Sequence, residues 1–209
     1  MELHILTIVL ILEILLLYTT SFAGLSIAIL VGKTKNDFKG QCILGADVRW
    51  NTSSNFVIYT DASNASKCAF CMGLHIVLLI FSLVYATYWL VTLILRKEGV
   101  RIFQIITIFL YAAFTFLVFV QAGVLTRGLN RFCDGLTSGD MGSHIESCQE
   151  SQDLVRWKGL KGSDFYSMLK KTQTASWFSA FVWMILLCLT GFRRIYEMRQ
   201  SSVPKDTYT

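Results

Sequence analysis

The sharpest chemical candidate in this sequence is a carboxylate in an apolar setting: Glu13 interrupts the run 5–31. An ionisable group inside a membrane span costs about 2.5–3.5 kcal/mol on insertion scales, so it faces a protein interior. Counted inward from the same end, Tyr85, Tyr88 and Tyr111 fall at comparable depth. The structural expectation is a protonated Glu13 hydrogen-bonded to one of these phenols. A proton or cation pathway, and a contact to a partner subunit, are the functional alternatives. Folding that survives Glu13→Gln would favour the phenol pairing, whereas loss of folding would favour an essential charged pair. Gln104 and Gln121 are the other intramembrane polar candidates. They stand 17 residues apart, roughly 26 Å along a helix, so they cannot share one site. Interfacial or interhelical hydrogen bonding suits them better than a filter.

Six cysteines and three histidines bound the remaining chemistry. Cys42 and Cys68 bracket one long loop, and Cys133 and Cys148 lie in the other. Pairing within each loop is the first expectation, because closure entropy rises with separation; bridges between the loops stay open. Cys71 makes a formal C-x-x-C with Cys68, yet no βαβ pattern surrounds it, so it is read as the start of a helix. Cys188 is read as a small buried apolar side chain. Asn51-Thr52-Ser53 and Asn64-Ala65-Ser66 are glycosylation acceptors. His144, with Asp140, Glu146 and Cys148, matches no zinc spacing. H-E-x-x-H, G-x-S-x-G and P-loop patterns are absent from the sequence. The expectation is therefore no catalytic residue, no metal and no cofactor.

Four apolar runs, 5–31, 72–95, 102–125 and 175–192, must position these groups. Each is about long enough to cross a ~30 Å hydrocarbon core. With 54% hydrophobic residues in 209, the chain reads as an all-α membrane protein, a four-transmembrane helix bundle forming one domain over 1–209. The bilayer is its first partner. Net charge is +5, but the cations are divided between span flanks and acid-containing loops, which argues against nucleic acid. Ser21-Phe22-Ala23 satisfies the small-residue rule for signal cleavage. Glu13, the lack of an N-terminal Lys or Arg and continued hydrophobicity to Val31 favour an uncleaved span.

The sequons and loop cysteines place outer loops 32–71 and 126–174 in an oxidising lumen or cell exterior. The two long loops hold 12 Lys and Arg against seven elsewhere, which opposes a simple count. Local density at hairpin 96–101 and at Arg193-Arg194 favours a cytosolic hairpin, a cytosolic tail 193–209 and cytosolic termini. Two β-favouring stretches flank the polar turn 51–55, predicting a small disulfide-bonded extracellular β-hairpin cap. Glycines, Gly135 among them, are expected to break any long element in the second loop. Ser163-Asp164 caps an amphipathic helix entering the fourth span, with Trp177 near the interface. The short 96–101 turn makes spans two and three antiparallel neighbours. Small pairs, Gly24/Ala28, Ser82/Ala86 and Ser176/Ala180, permit close helix approach.

Asp37-Phe38-Lys39-Gly40-Gln41-Cys42 before an apolar strand resembles the first-loop signature of the transmembrane protein 179 family. Cys68, Phe132-Cys133-Asp134, Ser147-Cys148 and Phe165-Tyr166 leading to Ala175-Ser176-Trp177 follow in the same order. The short tail is similar to that of the family's B branch. The resemblance implies a multi-pass membrane protein of plasma or secretory-granule membranes, without an established activity and with no catalytic residues to carry over. The claudin G-L-W-C-C run and the tetraspanin C-C-G are missing. The expected role is an interaction or accessory subunit with a membrane-protein partner; a small channel or transporter using Glu13 is the alternative.

Overall fold

A computed structural model describes residues 2–51, 56–63, 65–95, 101–138, 147–154, 157 and 160–201. Four long helices make the frame: α1 (Glu2–Asp37), α2 (Ala65–Ile94), α3 (Arg101–Thr137) and, after the short α4 (Cys148–Leu154), α5 (Phe165–Ser201). All four long helices carry a stretch apolar enough to span a membrane. Backbone polar groups cannot be left open in hydrocarbon, and helices satisfy them internally. At 36 residues, α1 is about 54 Å long, well beyond the ~30 Å core. The surplus turns build a second storey outside the membrane.

α1 packs against α2 and α5, and α5 packs against α3. Where α1 meets α2 the approach is close, with Ser21 and Ser82 hydroxyls 2.6 Å apart and Gly24 lying 3.3 Å, at its would-be Cβ, from the His75 carbonyl. α2 and α3 instead meet through aromatics: Phe81 stacks edge-on to Tyr111 and Phe114. Lipid supplies no hydrophobic drive between helices, so small residues, packing and hydrogen bonds carry the association.

Strands β1 (Cys42–Asn51) and β2 (Phe56–Ser63) form one antiparallel hairpin. α1 ends in a glycine-type cap: Gly40 takes a positive φ of 83° and its N–H reaches the Lys35 carbonyl at 2.8 Å. β1 then bends at Gly45, with φ of 77° and a register irregularity before Asp47.

The second long loop differs from its sequence reading. Residues 126–137 continue α3, and Gly135 does not break it. Both Gly128 and Gly135, two turns apart, lie under β1; a Cβ on them would stand 3.0 Å from Leu44 and 3.2 Å from Val48. The missing side chains let the strand lie on the helix, and tertiary packing outweighs glycine's poor helix propensity. Cys188, expected inside, is exposed on α5. Ser147 caps α4, its Oγ accepting from the Glu150 N–H at 3.2 Å.

Gly128→Leu should therefore lift β1 from α3. Overpacking of this kind costs about 1–3 kcal/mol, read as a lower Tm in detergent and faster proteolysis of the hairpin. Gly123→Leu, where a Cβ meets nothing within 4 Å, is the control expected to leave both unchanged.

Candidate functional site

The polar side chains of the bundle gather at two levels, one near each end of the membrane. At the level nearer the hairpin, His75 of α2, Gln121 of α3 and Ser176 of α5 form a buried chain. His75 Nε2 lies 3.1 Å from Gln121 Oε1, and Gln121 Nε2 donates to Ser176 Oγ at 3.3 Å. Ser176 in turn donates to the Thr172 carbonyl at 2.9 Å. The amide accepts on one side and donates on the other, so the imidazole contributes its Nε2–H. One amide thus ties α2, α3 and α5, and Gly24 of α1 packs against His75. Just above, Thr126 accepts from Gln173 Nε2 at 2.9 Å and Trp177 Nε1 at 3.2 Å.

The opposite level holds Glu13. Its Oε2 lies 3.3 Å from Nη2 of Arg193, and the two residues are only 1% and 3% exposed. The guanidinium also sits 4.5 Å over the Trp89 ring, so the cation meets both a carboxylate and a π face. An aromatic wall continues from there: Trp89 to Tyr85 at 6.0 Å, Tyr85 to Tyr111 at 6.0 Å and Tyr111 to Trp183 at 5.4 Å. Tyr85 accepts a hydrogen bond from Thr107 at 2.7 Å. Glu13 Oε1, Tyr111 OH and Trp183 Nε1 are buried without a hydrogen-bond partner.

Two sequence expectations change here. Glu13 is paired with a cation rather than hydrogen-bonded to Tyr85, Tyr88 or Tyr111. Arg193 is not a solvated flank of the last span: α5 carries it inward, because a guanidinium this close to hydrocarbon gains more from a carboxylate than from lipid. The signal was present as opposite charges near the same end of the first and last spans, but the flank position of Arg193 hid it. His75 was missed for a similar reason, since one histidine in an apolar run has no pattern around it.

Gln121 sits in the outer chain, whereas Gln104 lies in the first turn of α3, outside the residues whose side chains are described. Asn51 ends β1; its side chain, Asn64, and the His144, Asp140 and Glu146 group lie outside the described residues. Among the described residues no group of three His, Cys, Asp or Glu is placed to hold a metal.

Above the membrane, Cys42 is joined to Cys68 and Cys133 to Cys148. Phe38, Phe132, Phe165 and Trp157 pack edge-to-face between them, at centroid distances from 5.4 to 6.5 Å. Gly162 lies flat under the Trp157 indole, where a Cβ would overlap the ring. Arg131 of α3 holds Asp47 of β1 through two parallel bonds of 3.0 and 3.1 Å. That pair is 63% and 53% exposed, so it sets register more than stability.

Fold and site together define a multi-pass membrane protein of four spans with a disulfide-tied cap over a bundle whose polar groups pair inward. Residues 9–208 match the family model described as Transmembrane protein 179/179B Claudin domain, and the chain belongs to that claudin-like membrane-protein family. It is 29% identical over 187 residues to Transmembrane protein 179B of Danio rerio, covering 88% of this chain and 84% of that protein. The likeness to the Mus musculus protein of the same name is 29% over 185 residues, covering 86% and 80%. For the Homo sapiens protein it is 27% over 182, covering 85% and 79%. These support the B branch. No solved structure matches.

Breaking the ion pair from either side should not cost the same. Arg193→Gln leaves a carboxyl that can neutralise itself by taking a proton, whereas Glu13→Gln leaves a guanidinium that cannot lose one. Removing one partner of a buried pair costs about 3–5 kcal/mol, and replacing both with apolar residues recovers much of it. In SDS unfolding titrations, Glu13→Gln is expected to be the more destabilising single change. The Glu13→Leu/Arg193→Leu double variant should be more stable than either single change.

Proposed function

We propose that this protein is a non-catalytic interaction or accessory subunit whose cap and lipid-facing helix surfaces engage a membrane-protein partner. The observation that carries this reading is the internal pairing of Glu13 with Arg193. A carboxylate committed to its own chain is withdrawn from a partner's intramembrane charge and from a permeating ion. Recognition then falls to the surfaces that remain: the hairpin, held by the Cys42–Cys68 disulfide and a packed aromatic cluster, and the outward faces of the spans. A rigid cap on a closed bundle suits an adapter better than a turnover site.

In this reading the cap faces the lumen or cell exterior of a plasma or secretory-granule membrane, and both termini lie in the cytosol. Two disulfides at one end of the bundle support that orientation, since such bonds persist in oxidising compartments. Asn51 and Asn64 would then carry glycans.

Peptide N-glycosidase treatment of the cell-expressed protein tests the orientation. A mobility shift lost in the Asn51→Gln/Asn64→Gln double variant is expected, and modification of a sequon engineered into the tail instead would reverse it. Proximity labelling from the tail, followed by crosslinked purification, tests the role. A stoichiometric larger membrane protein, lost when residues 52–55 are replaced, is the expected result. Conductance in reconstituted vesicles that Glu13→Ala abolishes would instead establish the channel reading.

A further inference from the structure

The hairpin-end boundary of the membrane carries charges that the four-helix frame does not use. α1 and α5 run antiparallel with Phe38 beside Phe165 at 6.3 Å. Five residues inward along each helix, about 7.5 Å, Lys33 and Lys170 reach the same depth, with Lys171 next in the chain. All three are exposed. Among the described residues, Lys170 and Lys171 have no ion-pair partner. This pair is therefore locally uncompensated.

Directly inward of them the surface changes character. Lys170, Lys171, Thr174, Ala175 and Phe178, all on α5, border an open surface depression of about 470 Å³. Positions 170, 174 and 178 follow one helix face, and 171 and 175 form the adjacent row. Phe178, 52% exposed, lies about 12 Å along the helix from Lys170, toward the membrane centre. The Thr174 hydroxyl donates to the Lys170 carbonyl at 3.1 Å, which leaves the two ammonium groups as the donors facing outward. Two cations at the membrane boundary thus stand beside an open apolar stretch of the same helix face.

We propose that this face of α5 binds a lipid with an anionic headgroup, its phosphate met by the ammonium groups of Lys170 and Lys171 and an acyl chain lying along Ala175 and Phe178. Charge complementarity and depth select this occupant. An anion without a chain would leave the apolar face beside it uncovered, and a neutral lipid would leave two ammonium groups uncompensated. The assignment is independent of the partner.

The test uses the full chain in nanodiscs of phosphatidylcholine with and without phosphatidylglycerol, with spin-labelled versions of both lipids reporting the immobilised fraction. Wild type is expected to immobilise phosphatidylglycerol preferentially. Lys170→Gln/Lys171→Gln should reduce that preference by about fivefold per lysine, following the attraction of one surface cation to anionic lipid. Both side chains are exposed, so the variant should fold. Lys39→Gln/Lys161→Gln, an equal loss of charge on the cap, should leave the preference unchanged, and soluble glycerophosphate should not compete. The proposal is overturned if wild type shows no preference, if both double variants lose it equally, or if glycerophosphate competes. It also falls if the Lys170 and Lys171 variant keeps its lipid preference but loses a co-purifying membrane protein.

Discussion

The structure depends on the pairing of one buried carboxylate with one buried guanidinium across the first and last helices. Glu13 and Arg193 lie far apart in sequence and 3.3 Å apart in space. Hydrocarbon offers neither group a hydration shell, so each is tolerable only beside the other. The pair therefore fixes where α5 sits along α1 at that end, and Phe38 against Phe165 fixes it at the other. Between these two anchors, hydrogen bonds and close small-residue packing together set helix register.

The same logic explains why polar side chains occur in layers. Ser21 with Ser82 closes the α1–α2 contact, and the His75, Gln121 and Ser176 chain joins three helices over a fourth. Each bond is modest in a membrane, about 0.6 kcal/mol on average, because the separated helices also find partners. Their value lies in specificity, since a one-turn slip would leave donors and acceptors in hydrocarbon. Glu13 Oε1, Tyr111 OH and Trp183 Nε1 show that the satisfaction is incomplete on the Arg193 level. The outer chain is the better paired of the two levels.

Outside the membrane the cap relies on a different constraint. A two-stranded hairpin is marginal alone. Here α3 continues beyond the apolar run to offer Gly128 and Gly135 as a flat bed for β1. Bridging Cys42 to Cys68 fastens β1 to α2, and bridging Cys133 to Cys148 fastens α3 to the chain entering α4. The residues that carry the family resemblance, Phe38, Phe132 and Phe165, converge here into one buried cluster. Their scattered sequence motif is the linear trace of a single packed core.

The sequence by itself determined four membrane helices, a hairpin between β-favouring stretches and family membership. These follow from run length, residue type and motif order, which are local properties. It left Glu13 with the wrong partner and read Arg193 as a flank, because pairing across the bundle depends on helix register and rotation. Residues 126–137 went to a loop for a related reason: glycine disfavours an isolated helix, and only β1 lying on Gly128 and Gly135 makes their bare backbone favourable. Periodicity told which segments enter the membrane. Tertiary structure alone decided which polar atoms meet there, since that choice belongs to the packed bundle and to no single helix.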